Sequence, residues 1–167
     1  MEIREASIEH IPAINKLAHT IWPVTYKDII SARQLEYMLE LIYSPDSLLK
    51  QMDEGHRFFL LFDDTINSTG PVGYASFSKI AEQPSHYRLQ KLYVLPDHHG
   101  KGRGKFLLEH IIKMVKREGG QILDLTVNRN NPAQYFYHKM GFTLAREEDK
   151  DIGDGFFMND FVMERKV

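Results

Sequence analysis

The stretch from His86 to Asn128 constrains the fold more than any other part of the chain. "HYRLQKLYV" has the aromatic and aliphatic composition of a strand and stops at Pro96. Gly100, Gly102 and Gly104 follow, and then Leu107, Leu108, Ile111, Ile112 and Val115 recur on one helical face. Gly119 and Gly120 end that helix, and "QILDLTVN" reads as a second, buried strand. A strand, a helix and a strand within about forty residues predict a βαβ unit with parallel neighbours and a right-handed crossover.

The flanks add helices before the unit and hairpins on both sides of it. "EIREA" alternates like a strand, and Ser7 is placed to cap a helix whose stripe, Ile14, Leu17, Ala18 and Ile21, runs up to Pro23. A second stripe, Leu35, Met38, Leu39 and Ile42, ends near Ser44-Pro45, and "DSLLKQMDEG" gives a short third helix closing at Gly55. "RFFLLFDD" and "PVGYASFSKI", separated by the turn-rich "TINSTG", predict an antiparallel hairpin. Downstream, "PAQYFYHKM" is a short helix ending at Gly141, and "FTLAREE" with "GFFMNDFVMERK" forms a last hairpin around the acidic run "REEDKDIGD", read as a solvated turn, with attraction of a polyamine as the alternative reading of its charge. With 167 residues and no repeat or linker, one α/β domain spanning 1-167 is expected.

Composition narrows the partners. A 43% hydrophobic and 26% charged chain is ordinary for a soluble globular protein, and no apolar run approaches the roughly 20 residues of a membrane span. "MEIREASIEH" is unlike a secretory leader, and zero cysteines exclude disulfides and thiolate metal sites, so a cytoplasmic location is expected. A net charge of −2 gives no general attraction to nucleic acid or anionic lipid. The basic glycine-rich segment is therefore a local feature.

Neither familiar nucleotide motif explains that segment. The glycines give G-x-G-x-G where a dinucleotide fingerprint needs G-x-G-x-x-G. For a triphosphate loop, His99 stands at the first Gly and Phe106 follows Gly104-Lys105 in place of Gly-Lys-Ser/Thr. Successive N–H groups from Gly100 to Lys105, at the positive end of the following helix, still suit a pyrophosphate, with Lys101 and Arg103 adding charge. The plainer reading is a chain turn with solvated bases.

A second segment decides between them. Taken together, "YVLPDHHGKGRGKFLL" and "VNRNNPAQYFYHKMGF" resemble the GNAT superfamily of acyl-CoA N-acyltransferases, in motif order and in the order of elements along the whole chain. The resemblance implies a mixed, mostly antiparallel central sheet with one splayed parallel pair, flanked by helices, and acetyl-CoA as acyl donor. His99, Gly102 and Gly104 occupy the family's loop pattern, with His in place of the usual Gln or Arg. The loop from His99 through Gly100, Lys101, Gly102, Arg103 and Gly104 to Lys105 would hold the diphosphate mainly by its main chain. The main chain of Leu92, Tyr93 and Val94 would pair with pantetheine as an added strand, and Asn130 would hydrogen-bond the same arm.

Transfer from a thioester to an amine needs an uncharged nitrogen, a donor for the developing oxyanion and a proton for the departing thiolate. The resemblance gives the donor as the Val94 N–H and the proton source as Tyr137, whose alternative is a core aromatic beside Tyr135 and Phe136. Where many relatives carry a glutamate base, this chain has Gln90, which is no base near neutral pH. Trp22 and Tyr26 are candidates for the acceptor pocket, by cation–π contact with an alkyl ammonium, or else anchors for a helix end. His98, His99 and His138 show no metal-ligand spacing, so no metal is expected, and no G-x-S-x-G elbow supports a serine hydrolase.

The sequence thus reads as an N-acetyltransferase acting on a primary amine. A weaker likeness to bacterial enzymes that acetylate polyamines favours a small-molecule acceptor. A protein N-terminal or lysine acetyltransferase and a non-catalytic acyl-CoA sensor are the alternatives. Homodimer formation through an edge supplied by "GFFMNDFVM" is a further expectation, with neither nucleic acid nor membrane as partner.

Overall fold

In the computed structural model, which describes residues 1–66 and 69–167, seven strands make one sheet. They are β1 (Glu2–Glu5), β2 (Arg57–Phe62), β3 (Gly73–Lys79), β4 (His86–Val94), β5 (Ile122–Asn128), β6 (Thr143–Gly153) and β7 (Phe156–Lys166), in the order β1-β2-β3-β4-β5-β7-β6. Only β4 and β5 pair in parallel among the described residues; every other neighbour is antiparallel. Five helices flank the sheet: α1 (Ile11–Tyr26), α2 (Ala32–Tyr43), α3 (Pro45–Asp53), α4 (Arg103–Arg117) and α5 (Ala133–Lys139).

The period of two along each strand divides the core into two layers. Phe59 and Leu61 of β2 join Leu107, Leu108, Ile111 and Val115 of α4, whereas Phe58 and Leu60 join Ile14, Ile21, Met38 and Leu48 of α1 to α3. The stripes marked by helical spacing on α1 and α4 are buried, with Ile11, Trp22 and Arg103 added to them, whereas on α2 Met38 and Leu39 are buried, Leu35 and Ile42 only half-buried, and the fully buried Tyr43 lies outside the stripe.

One irregularity in β4 matters for the site. Ser76 of β3 pairs with Lys91 while Phe77 pairs with Leu89, so Gln90 is an extra, bulged residue. Before it, Tyr87 and Leu89 pack on the α4 layer. Beyond it the alternation is reversed: Leu92 and Val94 keep to that layer, while Lys91 and Tyr93 turn toward α1, α2 and α3. Parallel pairing with β5 runs only from His86↔Ile122 to Leu89↔Leu125, so the C-terminal halves of the two strands are unpaired with each other.

Several sequence expectations need correction. Ser7 precedes a short 3-10 turn, Ile8–His10, and α1 continues through Pro23 to Tyr26. Buried Trp22 and the Tyr26 hydroxyl, 2.9 Å from that of Tyr93, hold the last turn together. The acidic run is not a turn: it extends β6 to Gly153 along an 11-residue β7 partner, and the reversal falls at Gly153, Asp154 and Gly155, all with positive φ. β7 lies between β5 and β6, so "GFFMNDFVM" is interior and the sheet edges are β1 and β6. Asn67 and Ser68 of the expected "TINSTG" turn lie outside the described residues.

Candidate active site

The glycine segment forms a tight turn into α4. Gly100 and Gly102 both have φ of 77°, which L side chains rarely adopt, and the space beside each is open. Gly102 is the N-cap of α4, so the N–H groups of the next residues point out of the helix end. The Arg103 side chain is neither a free charge for an anion nor a solvated base. Its guanidinium is buried against Asp63, with Nε and Nη2 at 2.7 and 2.5 Å from Oδ2, and Nη1 donates to the His98 carbonyl at 3.2 Å. The Asp63 carboxyl is held down to about 2, first by the Thr65 hydroxyl and N–H and then by Arg103. Arg103 therefore braces the turn from behind, and only its main chain is left to face an anion.

The end of β4 is readable from its register. Leu95 N–H donates to Val72 O, so the opposed pair Val94 and Gly73 is a non-hydrogen-bonded one, and both main-chain groups of Val94 point away from β3. By the same alternation Leu92 faces the gap toward β5, whereas the main chain of Tyr93 is committed to Tyr74; Tyr93 brings its side chain to the site instead. The His99 ring settles one of the groups at the gap: Nε2–H donates to Val94 O at 2.7 Å. The Val94 N–H remains as an aimed donor.

This gap opens into a cavity of ≈ 1360 Å³, larger than the roughly 300–1,000 Å³ of ordinary small-molecule pockets. Tyr137 of α5 lines it, 8% exposed, with its ring set edge-on between Phe136 and Phe142. Burial, with a smaller push from Tyr26, raises its pKa well above that of a free phenol, so the hydroxyl keeps its proton. Opposite lie Trp22 and Tyr26 of α1, with ring centroids 4.6 Å apart and Trp22 at 5.7 Å from Tyr93. Both anchor α1 and line the cavity, so the two readings of these residues hold together.

Two charged features of the cavity have no counterpart in the sequence motifs. Lys91 is 6% exposed and has no carboxylate partner among the described residues; its Nζ donates to Gln51 Oε1 at 2.5 Å, and burial lowers its pKa to about 7. Its neighbour His56 is also pushed below the usual imidazole value, by burial and then by Lys91. Across the cavity, Asn128, Asp160 and Glu148 sit side by side on β5, β7 and β6 and all line it.

Of the residues the motifs single out, Leu92, Tyr93, Val94, His99, Gly100, Gly102, Arg103, Gly104, Lys105, Tyr137, Trp22 and Tyr26 converge on this cavity. Lys101 and Asn130 do not line it: Asn130 is exposed, and its neighbours Asn128 and Asn131 take the lining positions. Asn131 is buried and caps the start of α5, with Oδ1 accepting from Ala133 N–H at 2.9 Å. Gln90 lines the cavity from the bulge, and its amide donates to Ser78 Oγ at 3.0 Å. Among the described residues no group of three His, Cys, Asp or Glu is placed to hold a metal ion, and no helix is long and apolar enough to cross a membrane.

A sheet splayed at one parallel pair, with a glycine turn beyond the first strand and a protonated phenol beside the gap, is the frame of an acyl-transfer site. The model of the acetyltransferase (GNAT) family matches residues 13–142, and the chain belongs to that family. It is an acetyl-CoA-dependent N-acetyltransferase of the GNAT type. It is similar to a spermidine N(1)-acetyltransferase of Thermoplasma acidophilum, 30% identical over 99% of this chain and 97% of the relative. It is also similar to the [ribosomal protein bS18]-alanine N-acetyltransferase of Haemophilus influenzae, 30% identical over 54% of this chain and 58% of that one. Among solved structures, the PaiA N-acetyltransferase of Thermoplasma acidophilum in complex with coenzyme A superposes with a TM-score of 0.80 at 29% identity, covering both chains fully.

Proposed function

We propose that this chain, as a single domain over residues 1-167, moves the acetyl group of acetyl-CoA directly to a primary amine of a small polycation of the polyamine kind. The observation that carries the reading is one continuous cavity. It is lined at once by the glycine turn, by Val94 and Tyr137, by Glu148 and Asp160, and by Trp22 and Tyr26. The likeness to a spermidine acetyltransferase over nearly the full length supports the same acceptor class.

The turn from His99 to Lys105 fits a diphosphate: its two left-handed glycines have open space beside them, and the first N–H groups of α4 are directed outward. Acetyl-CoA supplies an activated acyl group when bound. The Leu92 main chain, turned away from β3, is placed to pair with an extended amide-bearing arm, and at Val94 the carbonyl is taken by His99 and the N–H is left. Val94 N–H suits the carbonyl oxygen as charge develops on it, and Tyr137 is the group to protonate the departing sulfur. Tyr137 and Val94 are therefore the catalytic pair of this reading, and Trp22 and Tyr26 hold the ammonium end by π-face, with added charge from Glu148, whose Oε1 also accepts from Arg146 Nη2 at 2.8 Å.

The test is acetyl-CoA turnover against a panel of polyamines, amino acids, aminoglycosides and peptides. The expected result is the highest kcat/KM for a polyamine. Turnover confined to peptides, as the name of the bS18-alanine relative would suggest for that protein, refutes the acceptor class; tight acetyl-CoA binding with no turnover leaves a sensor.

A further inference from the structure

No residue described so far takes the proton from the acceptor. An amine arrives as an ammonium near neutral pH, with a proton affinity close to that of lysine, about 10.4 on the pKa scale. Its lone pair is unavailable until that proton leaves. Gln90 cannot accept it.

We propose that Asp160 is the base that relieves the acceptor ammonium of its proton in this reaction; the inference rests on the amine-acetylation reading above. Asp160 is 6% exposed, lines the cavity from β7, and faces Asn128 of β5 on one side and Glu148 of β6 on the other. The β5–β7 spacing puts its main chain about 4.8 Å beyond the wall of the gap where the thioester would lie. The Tyr26 hydroxyl lies within electrostatic reach of both Asp160 and Tyr137.

What sets Asp160 apart from an ordinary surface carboxylate is the lack of a partner. Among the described residues nothing donates to its side chain. The nearest cation, Arg129, gives Nη2 to Asp149 Oδ1 at 2.7 Å and to the Glu148 carbonyl at 3.3 Å, and its Nε reaches only the main-chain oxygen of Asp160, at 3.4 Å. A buried, unpaired carboxylate aimed into a cavity costs stability and is relieved by a cation. Burial first and Glu148 second raise its pKa to about 6, against the smaller opposing pull of Arg129 and Lys150, with Asp149 adding to the rise. A carboxyl so raised is a better base than a free one.

The protons balance as follows. Asp160 takes one proton from R–NH3⁺; the nitrogen lone pair forms the C–N bond as the C–S bond breaks, with the electron pair leaving on sulfur. Tyr137 gives its proton to that sulfur and is restored by the second proton lost from nitrogen. Asp160 returns its proton to solvent, so each turnover releases one net proton.

The experiment compares the wild-type enzyme with Asp160→Asn and Asp160→Glu, using spermidine as probe from pH 5 to 9. Wild-type kcat/KM is expected to rise as pH passes through about 6, because Asp160 must be ionised to act. Asp160→Asn should lose that rise and fall in kcat by about 10²–10⁴-fold, the usual worth of a general base, with acetyl-CoA affinity unchanged. Asp160→Glu should restore part of kcat and shift the rise, which a merely structural carboxylate would not do. An Asp160→Asn enzyme that keeps the pH profile, or that loses only KM, overturns the assignment while leaving the amine-acetylation reading intact. A wild type with no turnover of any amine overturns both. Asparagine removes a buried charge at equal size, so the variant's melting temperature should not fall; should it fail to fold, the Asp160→Glu profile alone decides, an unshifted rise counting against the proposal.

Discussion

Replacing Lys91 by methionine should make the protein more stable, and by an amount that depends on pH in a defined direction. The Nζ group is buried with Gln51 Oε1 as its hydrogen-bond acceptor, between the rings of Tyr43 and Phe58 at 5.7 and 5.2 Å. Desolvation lowers its pKa from 10.5 to about 7, so between these values the unfolded chain binds a proton that the folded one has shed. Stability from this group therefore rises with pH across that window. At 1.36 kcal/mol per pKa unit, the native lysine withholds roughly 4 kcal/mol near pH 7 and about 1.4 kcal/mol near pH 9.5. Methionine escapes this penalty but leaves the Gln51 oxygen without its donor, a loss of about 1 kcal/mol, so the net gain near pH 7 is on the order of 3 kcal/mol. For a chain of this length that is a rise in Tm of roughly 6–12 °C. Urea denaturation of both proteins near pH 7 and pH 9.5 measures it. A gain that is the same at both pH values, or a methionine variant less stable near pH 7, would refute the reasoning.

Other changes probe the site itself. Tyr137→Phe keeps the ring between Phe136 and Phe142 but removes the proton donor, so kcat for amine acetylation should fall by about 10²-fold or more while calorimetry finds acetyl-CoA affinity within a few-fold of wild type. Asp63→Ala leaves the buried Arg103 guanidinium without its carboxylate, and the glycine turn should loosen; a fall in coenzyme A affinity of about tenfold or more is expected in titration. His99→Gln retains a donor for the Val94 carbonyl and should keep coenzyme A binding and kcat, whereas His99→Leu should lower both. Glu148→Gln should raise KM for a polyamine and reduce its dependence on salt, with kcat nearly unchanged, in steady-state assays at two ionic strengths.

The parts of this molecule that were legible in the sequence are those written in local pattern. The α4 face from Leu107 to Val115, the glycines of the turn, Tyr137 before Gly141-Phe142 and the two strands of the βαβ unit each signal themselves within about one element. What escaped depends on residues far apart or on register. The Asp63–Arg103 pair joins positions 40 apart, so Arg103 reads as a free base until the two ends meet. Lys91 becomes a cavity residue only because Gln90 is bulged out of β4. Asp160 and Glu148 acquire a shared role only when β6 continues through a run that, by charge alone, has the composition of a loop. Asn130 illustrates the reverse case: a motif position that the local turn carries outward, with Asn131 beside it facing in.

The bulge at Gln90 lets a single strand serve two unlike surroundings. Its first half dresses the layer under α4 with Tyr87 and Leu89, and its second half delivers Lys91 and Tyr93 to the opposite compartment. Were Gln90 drawn into the ladder opposite Ser76, those allegiances would swap, turning Lys91 toward the α4 layer, placing Leu92 opposite Tyr74 and steering Tyr93 away from Tyr26. The register of this segment is thus held more rigidly than its chemistry: side chains there can be exchanged one at a time, but pairing Gln90 into the ladder would dismantle this wall of the cavity while leaving the hydrophobic content of the strand intact.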